Sequence, residues 1–101
     1  MEQIVLNLQK PYALQMQKLM KVFGDNLFAN TFFDYHLRRL KREIAKMQNE
    51  LNKFEEKYQI SSAEFYEKLE NGEFGDEQDF VQWSGIYELQ LDSKEQLAKL
   101  I

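Results

Sequence analysis

The 101-residue chain has no cysteine, one proline, one histidine, one tryptophan and four glycines. Without cysteine there is no disulfide framework, no thiol nucleophile and no cysteine-based zinc site. With His36 alone, a multi-histidine metal centre within one chain is excluded, and His36 reads as a helix-flank residue. No apolar run approaches the ~18 residues of a membrane span. The N-terminus lacks a basic start followed by an apolar run, so no secretory signal is expected and the cytoplasm is the default compartment. There is no glycine-rich phosphate loop: Gly72 and Gly75 are too few and precede an acidic helix. Glu73, Asp76, Glu77 and Asp79 lack calcium-loop spacing. Paired carboxylates are too common in this chain to argue acid–base catalysis. Neither an enzyme nor a bound cofactor is expected.

What the chain does have is charge, unevenly placed. Residues 1–53 carry nine Lys/Arg and five Asp/Glu, net +4, whereas residues 54–101 carry four and twelve, net −8. A basic half joined to an acidic half suggests two tasks. The length is near the lower limit for a comfortable core, so association with a second copy or a partner would help.

Residues 2–9 alternate, with Ile4, Leu6 and Leu8 on one face and Gln3, Val5, Asn7 and Gln9 on the other, which predicts a short half-buried strand. No later segment alternates, so its backbone groups would pair with the same strand of a second copy across a two-fold axis. Pro11 suits the first turn of a helix running to about Phe23, with Tyr12, Met16, Leu19, Met20 and Phe23 on its apolar face. Gly24 ends it, and Asp25 or Asn26 can cap the next. From Leu27 to about Tyr58 there is neither Gly nor Pro. Phe33, Leu37, Leu40, Ile44, Met47, Leu51, Phe54 and Tyr58 alternate spacings of four and three, an unbroken heptad seam. Ser61 with Glu64 fits a capping box for a short helix ending at Asn71-Gly72. Asp76 can cap a last helix over about 77–99, with Phe80, Trp83, Tyr87 and Leu91 on one face and Gly85 as a weak point inside it.

The order strand, helix, glycine turn, helix resembles the ribbon-helix-helix family of DNA-binding proteins over residues 2–42. Leu8 is followed by Tyr12, Met16, Leu19, Met20 and Gly24 at the offsets 4, 8, 11, 12 and 16 of that family. The sequence departs from it at Gln9, where proline is frequent, and at Asn30 and Thr31, where aliphatic residues are usual. The resemblance implies a homodimer whose paired strands enter the major groove of operator DNA, with Gln3, Val5 and Asn7 toward base edges. It places Lys10 on phosphate, and free amides around Asn26 on another. Arg38, Arg39, Lys41 and Arg42 sit off the seam and read as a solvated helix flank.

The segment from Ser61-Ser62-Ala63-Glu64-Phe65-Tyr66 to Asp79-Phe80-Val81-Gln82-Trp83 resembles the C-terminal region of small helical antitoxin-like proteins encoded beside bacterial and archaeal toxins. That resemblance covers residues 58–91. It implies a protein that binds and blocks its toxin and represses its own operon. The acidic charge suits a basic partner. Phe65, Tyr66, Phe74, Phe80, Trp83 and Tyr87 are the candidate partner-binding anchors. The competing role for the same aromatics is a core against the heptad seam. A parallel two-stranded coiled coil would set Glu50 against Glu55 of its partner, which favours a fold-back of 61–99 onto the seam.

The expected architecture is therefore mainly α: one N-terminal strand pairing in a ribbon-helix-helix-like dimer, then a long helix and a helical C-terminal arm. Residues 1–42 would form the dimerisation and DNA-binding module, and 43–101 the acidic partner-binding arm. The expected function is that of an antitoxin, with homodimer, operator DNA and cognate toxin as partners and no membrane. The alternative is a helical adaptor that dimerises through the long helix and does not bind DNA.

Overall fold

A computed structural model describes residues 6–101. Pro11 stands in the first turn of α1 (Lys10–Phe23), where its missing N–H leaves no helical bond unmade. Gly24 closes α1 with φ +81°, a backbone region that L side chains rarely enter, and its N–H donates to the Met20 carbonyl at 2.7 Å. α2 (Asp25–Tyr58) starts at once, so Asp25 is a first-turn residue of the helix. Its 34 residues contain neither Gly nor Pro. Gln59 ends it at φ +55°, and its side-chain amide donates to the Glu56 carbonyl at 2.6 Å.

Ser61 caps α3 (Ser62–Glu70), its hydroxyl accepting from the Glu64 N–H at 3.2 Å. The Glu64 carboxylate lies 3.5 Å from the Lys68 ammonium. After Asn71 the turn needs Gly72 at φ +78°. α4 (Gln78–Leu100) has Glu77 at its N-cap without a side-chain cap bond, so the expected cap at Asp76 is one residue early.

The expected strand is not formed. Residues 6–9 have no regular secondary structure, α1 begins at Lys10, and no strand occurs among the described residues; residues 2–5 of that segment lie outside them. A lone strand has no neighbour in its own chain to take its backbone hydrogen bonds; positions 6–9 are exposed, and the Gln9 carbonyl accepts from the Ala13 N–H of α1 at 2.9 Å instead. The described residues are all-α, and the expected fold with an N-terminal ribbon strand is overturned on that ground.

The chain divides into two compact units, Met1–Tyr35 and His36–Ile101. In the first, no described residue is buried. The second has a core of Leu51, Phe65, Phe80 and Trp83, with Phe54, Tyr58, Ile60, Leu69, Phe74, Ile86 and Tyr87 packed around it. Residues 61–99 therefore fold back on the seam of α2. Gln90 joins this inner face at 2 % exposure, while Leu91 is 45 % exposed. The aromatic repeat Phe80, Trp83, Tyr87 continues by three to Gln90, so α4 places an amide where an apolar side chain was expected.

Candidate functional site

The six aromatic anchors read from the sequence mostly meet one another. Phe65 and Trp83 are fully buried and stacked face to face at 3.8 Å, with their planes 2° apart. Phe54 and Tyr58 of α2 stack on Trp83 at 5.5 and 5.6 Å. Phe74 and Phe80 close the cluster at 5.0 Å from each other, each also against Phe65. Trp83 donates its indole N–H to the Ser62 hydroxyl at 2.8 Å, and the Ser62 N–H donates to Glu55 at 2.7 Å. Tyr66 and Tyr87, both half-buried, pack at 5.1 Å. These side chains hold α2, α3 and α4 together. Phe65 and Trp83 have no surface left to offer a partner, and Phe80 has 8 %.

Polar links finish the packing. The Asp79 carboxylate accepts from Lys57 at 2.7 Å and from the Tyr58 hydroxyl at 2.6 Å. Those two hydrogen bonds hold Asp79 below the ordinary carboxylate range. Lys57 is raised by its hydrogen bond to Asp79, and Tyr58 is raised by its bond to Asp79 and by desolvation. Tyr66 donates to Glu88, and this bond raises the phenol well above its usual value. The Gln90 amide donates to the Ile44 carbonyl at 3.2 Å and to the Gln48 side-chain oxygen at 3.0 Å. Among the described residues, no buried side-chain nitrogen or oxygen lacks a hydrogen bond.

The outward face of α4 differs from its inner face. Val81, Gly85 and Leu89 follow at intervals of four and lie along one line of the helix. Val81 is 57 % and Leu89 62 % exposed, and a Cβ at Gly85 would meet nothing within 4 Å. Glu88 and Asp92, both exposed, share this face. Leu89 also borders a hollow of about 230 Å³ with Glu43, Lys46, Met47 and Ser93. The spacing was readable in the sequence, but the aromatic face of the same helix dominates the pattern.

The residues expected on DNA that the structure describes belong to the first unit. Asn7 lies in the irregular segment before α1, Lys10 is the first residue of α1, and Asn26 is the second of α2; all three are exposed. Gln3 and Val5 lie outside the described residues. In the first unit, Leu6, Leu8, Ala13, Met16, Gln17 and Met20 line a hollow of about 220 Å³. In the second, a hollow of about 350 Å³ is lined by His36, Arg39, Leu40, Glu43, Gln96 and Leu100. Among the described residues, no group of three or more His, Asp or Glu side chains is placed to hold a metal, and no helix is long and apolar enough to cross a membrane.

No family model, curated protein or solved structure matches the chain.

Proposed function

We propose that the chain is a non-enzymatic binding protein of the antitoxin kind, which holds a basic partner protein against the outward face of α4. The observation that carries this reading is the Val81–Gly85–Leu89 line, in which exposed Val81 and Leu89 flank half-buried Gly85. Two apolar side chains flank a position without a side chain, so a partner's backbone can come close between them. Around that line the charge is one-sided. Residues 62–101 hold ten Asp/Glu and three Lys/Arg. Such a field draws in a basic surface and disfavours an acidic one. A nucleic-acid-cleaving toxin has a basic substrate face, and covering that face is enough to silence it. The aromatic core keeps α3 and α4 rigid beneath the contact, so little ordering cost falls on binding.

The test is co-expression with the product of the adjacent gene. Expression of the neighbour alone should stop growth. The wild-type chain should restore it and co-purify with the neighbour in a complex that weakens with salt. Leu89→Arg should abolish rescue while far-UV circular dichroism stays unchanged. A harmless neighbour, or full rescue by the Leu89→Arg chain, refutes the proposal.

A further inference from the structure

We infer that the first unit, Met1–Tyr35, is half of a symmetric interface, and that the other half is the same unit of a second copy of this chain. From Leu6 to Tyr35 no residue is buried. Tyr12, Leu19 and Phe23 recur at seven and four along α1, so they share a face, and they are 59 %, 45 % and 53 % exposed. Val22 is 77 %, Leu27 57 % and Phe33 42 % exposed. Leu27 and Phe33 stand about 120° apart around α2, and a helix apolar on more than one side is one that becomes surrounded. A two-helix unit below ~40 residues does not bury enough surface to support itself without association.

Area and charge identify the occupant. Taken over all sides of the unit, the exposed large apolar side chains between Leu6 and Tyr35 leave on the order of 1,000 Å² in water, enough for a copy that wraps α1 and α2 to find the ~800 Å² that each partner gives to a standard interface. Residues 6–35 carry Lys10, Lys18 and Lys21 against Asp25 and Asp34. None of these lies on the Tyr12–Leu19–Phe23 face. The surface is thus almost uncharged, does not repel its own copy, and lacks the sign bias that would select a charged partner. In residues 36–101, by contrast, fourteen acidic side chains face ten basic ones, so like units there repel. The hollow over Met16 and Met20 supplies room for an inserted side chain of the copy. The interface is isologous, each surface being its own complement.

Sedimentation equilibrium of the full-length chain at micromolar concentration tests this. The wild type should have the mass of two chains. Leu19→Ser with Phe23→Ser should raise the dissociation constant at least about tenfold. Val81→Ser with Leu89→Ser should leave it unchanged, which separates this interface from the proposed partner surface. Unchanged helical content by circular dichroism certifies each variant. If the first pair loses helix, Val22→Ser alone, at the most exposed of the six positions, gives the reading. A monomeric wild type, a mass other than two chains, an association that survives every first-unit variant, or one abolished by the α4 pair overturns the inference.

Discussion

α2 belongs to both units, and its two ends live differently. Near its start Leu27 is 57 % and Phe33 42 % exposed, whereas further along Leu51 is 1 % exposed. The same heptad seam runs through Phe33 and Leu51, so periodicity does not account for the difference. What differs is cover. In the second unit α3 and α4 bring Phe65, Phe80 and Trp83 to the seam. In the first, α1 supplies no residue that becomes buried. A helix with an apolar stripe becomes core only where the chain returns enough complementary surface to it. Where it does not, the stripe remains an invitation to another molecule.

That contrast is testable, and the largest expected effect is in the second unit. Trp83→Ala removes a fully buried ring stacked against three others and should lower unfolding stability by about 3–5 kcal/mol, measured by denaturant titration with far-UV circular dichroism. Val22→Ala in the first unit should change the stability of an unassociated chain by about 0.5 kcal/mol or less in the same titration. Gln90→Ala removes the partner of the Gln48 amide oxygen and leaves a gap, at a cost of about 1–3 kcal/mol. Gln90→Leu should cost less, because half-exposed Gln48 can turn to water. Ser61→Ala should cost about 1 kcal/mol by freeing the Glu64 N–H at the start of α3.

Gly85→Ala should stabilise α4 by up to about 1 kcal/mol, because the added methyl meets nothing, and should weaken partner capture at the same time. A variant more stable yet poorer at rescue would tie the glycine to recognition. The smallest expected effect is that of pH on the Lys57–Asp79–Tyr58 link, whose groups are partly solvated. Asp79 titrates lower folded than unfolded, so its contribution is present above the ordinary carboxylate range and is lost as pH falls through the folded value. Lys57 and Tyr58 titrate higher folded than unfolded, so theirs is complete below their ordinary values and lost as pH rises through the folded ones. Stability should therefore be flat across neutral pH, and Asp79→Asn should flatten the acid limb of melting temperature against pH.

The helices were legible because their punctuation is local. Pro11, Gly24, Ser61 and Gly72 each do in the structure what their backbone chemistry requires. The fold-back was legible through an argument against the alternative, since Glu50 and Glu55 disfavour a parallel pair. The strand at 2–9 was misread over its described part. Alternation over Leu6 and Leu8 satisfies a side-chain rule, but a strand is a backbone contract that needs a second party. The aromatic anchors were ambiguous for a different reason. Core packing and partner binding select the same residue types at the same spacing, and only burial separates Phe65 and Trp83 from a binding surface. The Val81–Gly85–Leu89 line went unseen because two apolar residues and a glycine make a weak stripe beside three aromatics on the opposite side.

Trp83 is the only tryptophan of the chain, and it is sealed between α2, α3 and α4. Its fluorescence is therefore a private channel on the second unit. Quenching or a red shift of its emission reports the opening of that core and nothing about α1. Opening of the second unit can accordingly be followed by itself, without a label.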